Sequence, residues 1–283
     1  MSRQSSVGSW IVAVVVVAVV VVAGVYLARK ATHESAPTAV SPPATSTSVV
    51  KPAPAVVQHP ITRAESAPAS AASSALPTLE GSDASVTAAL VALTGDNALR
   101  TLLVPTRIIP HIVATVDALP RRMVGRRVLP LHGPKGAFVV TSVDGKTVIS
   151  TKNAARYAPY MHALEAADTT QLTDWYVSHY PLFQQAYEQL GYPKGYFNDR
   201  LIAVIDNLLA TPDLSQPPAL AQPNVLYTYA DPSLDSLSAG QKMLLRVGPV
   251  NEAKIKAKLR AIRARLVGQK LPATPAAASS AGA

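Results

Sequence analysis

Four places in this chain bring together side chains capable of chemistry. His162, Glu165 and Asp168 recur at every third position, so on a helix the first two could face one ligand. A metal ion needs three or four convergent donors. A two-metal carboxylate bundle would need further Glu-x-x-His helices, which the sequence lacks. The trio therefore reads as polar residues on a solvated face, with Asp168 as a helix cap. His179 lies in an aromatic run and could serve as a buried general base. Asp174 and Glu188 share its segment but turn to other faces, so the favoured reading is a hydrogen-bonded core or boundary histidine.

The third place is Tyr196, Asn198, Asp199 and Arg200, the densest mix of functional groups in the chain. Asn198 or Asp199 is expected to cap a helix and to favour its positive end, with Arg200 paired to Asp206 or Glu165. The alternative is a recognition pocket formed by the tyrosines of Gly-Tyr-Pro-Lys-Gly-Tyr with Arg200. The fourth is a basic helix in which Ile255, Leu259, Ile262 and Leu266 form a narrow apolar stripe. Lys256, Arg260 and Arg263 flank the stripe on one side, and Lys254, Lys258 and Arg265 on the other. Such flanks can lay methylene stems beside an apolar seam while keeping their charges wet, which suits an anionic membrane surface or an acidic partner. The simpler reading docks the stripe on the domain and leaves the cations solvated. Arg121, Arg122, Arg126 and Arg127 extend the same patch.

Other chemistries are excluded or unsupported. There is no cysteine, hence no disulfide, thiolate metal site or cysteine nucleophile. No Gly-x-Ser-x-Gly elbow, phosphate loop or dinucleotide glycine pattern occurs. No catalytic residue, metal ligand or cofactor is assigned. The net charge of +9 is local: residues 128–250 carry eight Lys or Arg against ten Asp or Glu, whereas 251–283 carry seven bases against Glu252 alone. Nucleic acid is not an expected partner, because no aromatic platform interleaves with these bases.

The element that must position the candidates is residues 168–210, which hold more than half of the chain's Trp, Tyr and Phe residues. Leu172, Trp175, Tyr176, His179, Phe183, Ala186, Tyr187 and Leu190 share one stripe at three- and four-residue steps. Asp168 and Gln171 fit a capping box, and Gly191 can close the far end. Pro181 should kink or split the helix. A second helix opens near Asn198 or Asp199, carries apolar residues over more than half its girth, and stops at Pro212. The two form a helical hairpin at the centre of a core.

Before this core, residues 10–27 are eighteen uncharged and nearly all apolar residues, about 27 Å as a helix, and so an uncleaved membrane anchor is expected. Trp10 and Tyr26 lie where aromatic rings favour the interface. Residues 28–78, rich in Ala, Pro, Ser and Thr, read as a disordered linker, roughly 40 Å long as a coil and 150 Å when extended. Helices are expected after Asp83, Asp96 and Thr106, closed by Gly95 and Pro105 in the first two cases. Val128 to Leu131 and Phe138 to Val143 read as short strands, and Asp144-Gly145 as a hairpin turn. Asn153 is expected to cap a turn and Pro159 to start a helix. Asp231-Pro232, Ser238 and Pro249 open further helices, the last ending near Val267.

The strings ATVDALP, NAARYAPY, LGYPKGYFNDRLIAVIDNLLATP and SAGQKMLLRVGPVNEAKIKAKLRAIR together resemble a bacterial family catalogued as domain of unknown function 3014. Its members are envelope proteins of Gram-negative bacteria, often with an N-terminal span and a Pro/Ala-rich linker. The resemblance covers roughly residues 79–267, with Pro110 and Ala118 departing from it, and it carries over no catalytic residue. The expected architecture is mainly α: an N-terminal flank (1–9), a transmembrane helix (10–27), a disordered linker (28–78), a compact multi-helix domain with one small β-hairpin (79–267) and a disordered tail (268–283). The expected location is the bacterial inner membrane, single-pass, with the domain in the periplasm. There it would act as a binding or scaffolding module for another envelope protein or an anionic surface. The alternatives are a cell-wall or other periplasmic-substrate enzyme, and an anionic-lipid-binding domain.

Overall fold

The computed structural model describes residues 57–63, 76–95, 97–223, 226–267 and 270–271. The expected span at 10–27 and most of the expected linker and tail lie outside the described residues. Among those described, no helix is long and apolar enough to cross a membrane. The described fold is mainly helical, with ten α-helices and three two-stranded pairs.

The helices are α1 (Asp83–Thr94), α2 (Ala98–Leu102), α3 (Ile108–Ala118), α4 (Asn153–Arg156), α5 (Ala158–Ala166), α6 (Thr169–Gln189), α7 (Phe197–Leu209), α8 (Pro232–Asp235), α9 (Ala239–Val247) and α10 (Pro249–Leu266). The expected hairpin is α6 and α7, and α3 and α10 each pack against both of its members. The stripe of α6 is buried at Leu172, Trp175, Tyr176, Phe183, Ala186 and Tyr187, and widens to include Val177, Tyr180 and Leu182. Pro181 does not split α6, which runs as one helix of 21 residues. The ring lies on the exposed side, and buried neighbours on both sides hold the two halves in line. Phe183 stacks on Phe197 at 5.9 Å and Tyr176 meets Phe183 edge-on at 5.1 Å, tying α6 to α7.

Local signals account for most helix ends. Asp168 accepts from Gln171 N at 3.0 Å, but Gln171 Oε1 finds no partner among the described residues, so only half of the expected capping box forms; Gly95 closes α1 with a left-handed φ of 62°. Ser238 and Gln241 close a full capping box at the start of α9. Asp83 departs from expectation: it does not cap α1. Its carboxylate instead accepts from Arg107 N (2.7 Å) and Ile108 N (2.8 Å), capping α3, where Arg107 sits at φ 51°. The free amides of a helix start attract the nearest carboxylate in space, whatever its distance in sequence. Asn153 is also no cap. It lies inside α4 and is buried, and its side chain exchanges hydrogen bonds with both main-chain groups of Val139.

The hairpin forms as expected from β2 (Val140–Val143) and β3 (Lys146–Ile149), paired Val140↔Ile149 to Val143↔Lys146. Asp144 and Gly145 both have positive φ, 49° and 73°, the backbone a two-residue turn of this hand requires. Val128 to Leu131 is not a strand. Arg126–Val128 is a 3-10 turn, and Leu131 makes only an isolated bridge to Leu103; Val104 N donates to the Pro130 carbonyl, but Pro130 has no amide to return the bond. Two short pairs were not foreseen: β4 (Leu220–Ala221) with β5 (Thr228–Tyr229), antiparallel, and β1 (Thr62–Arg63) with β6 (Lys270–Leu271), parallel. The second pair corrects the readings of 28–78 and of 268–283 as wholly disordered. Residues 57–63 are laid on the domain, and Ile61 is 4% exposed within the main core.

Candidate functional site

The site is the N-terminal end of α7. Turn geometry brings it against α6: Gly195 comes so close that a Cβ there would stand 2.7 Å from the Tyr187 ring, and its carbonyl accepts from Gln184 Nε2 at 2.8 Å. Gln184 Oε1 in turn accepts from Phe197 N and from Tyr180 Oη, both at 2.9 Å. A side chain of α6 thus satisfies one of the first amides of α7. Tyr196 holds the position before the helix, and no side chain of its own segment caps it. The expected cap residues are therefore released for other work.

They hold residues 57–63. Asp199, in the first turn of α7, accepts from Gln58 N at 2.9 Å and from His59 N at 2.6 Å. Asn198, fully buried, donates Nδ2 to the His59 carbonyl at 2.9 Å, while its Oδ1 accepts from Tyr176 Oη at 3.3 Å. Tyr196 Oη accepts from Ile61 N at 2.6 Å and donates to Ile61 O at 3.2 Å. Of residues 57–61, Ile61 drives its side chain into the core, whereas Val57, Gln58 and Pro60 are exposed and His59 is half-buried. Burial pushes the phenols of Tyr176 and Tyr180 well up, so both stay neutral donors behind the cluster.

Arg200 faces inward. Its Nε lies 3.0 Å from Asp117 Oδ1 and its guanidinium also donates to the Asp117 carbonyl at 2.6 Å. Asp117 is 3% exposed, and it also accepts from Tyr192 Oη at 3.2 Å and pairs with Arg121. The expected partners of Arg200, Asp206 and Glu165, are taken by Arg263 and Lys254. Arg200 is thus a strut between α7 and α3.

The basic helix docks by its stripe: Ile255, Leu259, Ile262 and Leu266 are all buried. Its two cationic flanks reach the elements on either side. Toward α7, Lys256 Nζ lies 2.6 Å from Thr211 O, 2.7 Å from Asp213 and 2.8 Å from Glu252, and Arg263 grips Asp206 with two bonds. Toward α5 and α6, Lys254 pairs with Glu165, Lys258 donates to the Ala167 carbonyl at 2.6 Å, and Arg265 reaches Thr173 and Asp174. Thr211 and Ala167 follow the ends of α7 and α5, where cations complement the helix dipole. Arg260 is exposed, near Asp213. Burial would lower the Lys256 pKa, but Asp213 and Glu252 outweigh it and the net shift is upward. Burial raises that of Glu252 against the pull of Lys256.

The remaining candidates are not brought together. Glu165 goes to Lys254 and Asp168 to its cap. His179 stacks on Trp175 at 4.8 Å, with Nδ1 at 2.9 Å from both Trp175 O and Ser178 Oγ. Facing a carbonyl, Nδ1 carries the hydrogen. Asp174 and Glu188 are engaged by Arg265 and Gln184. A cavity of about 220 Å³ lies elsewhere, walled by Ile149, Ala154, Leu214, Leu245, Val250 and Glu252 among others, and it includes neither His179 nor residues 196–200.

Sequence reasoning missed residues 57–63, Asp117 and Gln184 as parts of this site. For the first a signal existed: Val56-Val57-Gln58-His59-Pro60-Ile61-Thr62 is a β-branched run inside an Ala/Pro/Ser-rich stretch. No curated protein and no solved structure matches the chain. A family model described as "Protein of unknown function (DUF3014)" matches residues 108–263, a span holding α3, the α6–α7 hairpin, the 196–200 cluster and most of α10. With more than half of its length under that match, the chain belongs to the DUF3014 family.

Proposed function

We propose that this domain is a binding module that holds extended chain segments by their main chain at the N-terminal end of α7. The observation that carries this reading is the set of bonds around residues 57–63. Asp199, Asn198 and Tyr196 engage amides or carbonyls of three of these residues, and one aliphatic side chain is anchored in the core. Main-chain capture with a single pocketed side chain is how extended peptides are bound elsewhere. The basic face of α10 supports a lipid or acidic-partner role less well, since five of its six flanking cations already have partners within the domain. The proposal includes the setting inferred from residues 10–27: a single-pass anchor in the bacterial inner membrane, with the domain presented to the periplasm on its linker.

The test is affinity capture with the detergent-solubilised full chain, wild type against Asp199→Ala. An envelope partner retained by wild type and lost from the variant supports the proposal. Identical captures from the two overturn it. A phosphatase fused at the C-terminus should be active outside the cytoplasm; activity confined to the cytoplasmic side would reverse the assigned orientation.

A further inference from the structure

Resting on that reading, we infer that residues 57–63 are a built-in competitor for the groove of α7, whose other occupant is an extended partner peptide with an aliphatic residue at the position of Ile61. The segment is held as a ligand is held. Its contacts from Gln58 to Ile61 run through backbone amides and carbonyls to Asp199, Asn198 and Tyr196. The side chains of Val57, Gln58 and Pro60 are exposed, and among residues 57–61 Ile61 supplies the buried anchor. Beyond the anchor the segment continues as β1, lying parallel to β6 through Thr62↔Lys270 and Arg63↔Leu271. This is a strand added to a single short neighbour, and not a strand inside a sheet.

Such an arrangement defines the chemistry of a competing ligand. It must present two successive amides to Asp199, a carbonyl to Asn198, an amide and a carbonyl to Tyr196, and an aliphatic anchor beside that last pair. It must not place proline at the positions of Gln58 or His59, where an amide is needed. The competitor is part of the same chain as the groove, so it meets the groove as an intramolecular ligand. A free peptide binds with an affinity reduced by the fraction of time the groove stands open. Anything that draws residues 57–63 away raises that fraction.

The experiment uses the full chain in detergent and a fluorescent peptide spanning residues 55–64, read by anisotropy. Wild type should bind it weakly. Ile61→Asp, which ejects the anchor, and Gln58→Pro, which deletes one captured amide without touching the core, should each bind at least about tenfold more tightly. Adding Asp199→Ala to either should abolish the gain, and a peptide with Asp in place of the anchor isoleucine should not bind. The inference is overturned if both variants keep wild-type helical content yet bind no tighter than wild type, or if Asp199→Ala leaves the affinity unchanged. It is also overturned if wild type proves dimeric and its peptide affinity rises on dilution, because the competitor would then come from a second copy. Peptide binding that depends on Asp199, combined with envelope capture that does not, leaves this inference standing and removes the proposed function.

Discussion

The flanks of α10 and the tip of α7 are both rich in polar and charged groups, and both are candidates for contact with something outside the domain. Their groups end differently. Around α10, Lys254, Lys256, Lys258, Arg263 and Arg265 meet carboxylates, a hydroxyl or helix-end carbonyls of α5, α6, α7 and the loop after α7. These partners sit on or beside the elements packed around α10. At the tip of α7 Arg200 and the Oδ1 of Asn198 are used that way, while Tyr196, Asp199 and the Nδ2 of Asn198 bond a segment far away in sequence, some 140 residues in the case of Asp199. A charged helix face is thus no guide to an interface until its partners are known. The informative group is the one whose partner can be withdrawn.

The largest effect should come from the fixed side of this comparison. Lys256 is 2% exposed, and Lys256→Ala would leave Glu252 buried without its cation and the Thr211 carbonyl without its donor. A loss of about 3–5 kcal/mol in urea unfolding is expected. Replacing the pair together, Glu252→Leu with Lys256→Met, should recover much of it, as apolar residues of similar volume often do. A cost below about 1 kcal/mol for the single variant would mean that α10 is not fastened as described. Next, Asp117→Ala removes the common acceptor of Arg200, Arg121 and Tyr192 and should cost about 2–3 kcal/mol, read by the same unfolding curves.

These two cases also mark where the sequence stops being informative. Periodicity placed α6, α7 and the stripe of α10, and short-range chemistry placed the Asp144-Gly145 turn, the Asp168 cap and the helix start at Ser238, because each depends on residues within a few positions. Partners across space left no such trace. Asp83 looks like the cap of the helix it begins, and only the approach of Arg107 and Ile108 reassigns it. Arg200 could choose among several carboxylates, and Asp117 becomes its partner because α3 lies against α7. Residues 57–63 were hidden by averaging: their β-branched run is too short to lift the composition of the Ala/Pro/Ser-rich stretch around it.

A smaller effect is expected from acidification. Burial lowers the pKa of His111, with Arg107 lowering it further, and burial lowers that of His179 against the Trp175 carbonyl. Both folded-state values lie below the usual value of about 6.5, so below that pH the unfolded chain takes up protons first. The stabilisation is complete above about pH 6.5 and is lost as pH falls from there toward the folded-state values. Melting curves from pH 7.5 to 5 should show a decline that His111→Gln or His179→Gln reduces. An unchanged slope in both variants would contradict the assignment.

The smallest effect on global stability and the largest local one belong to Asp199→Ala. It should change global unfolding less than Lys256→Ala or Asp117→Ala, because it loosens residues 57–63 and leaves the packing of α7 on α6 in place. Amide hydrogen exchange of the full chain therefore tests the central claim most directly. In wild type the amides of Gln58, His59 and Ile61 should be protected, and in Asp199→Ala the protection of Gln58 and His59 should vanish while amides of α10 exchange as before. Unprotected amides in wild type, or protection lost together across residues 57–63 and α10, would contradict the account of α7 as a grip on a removable segment.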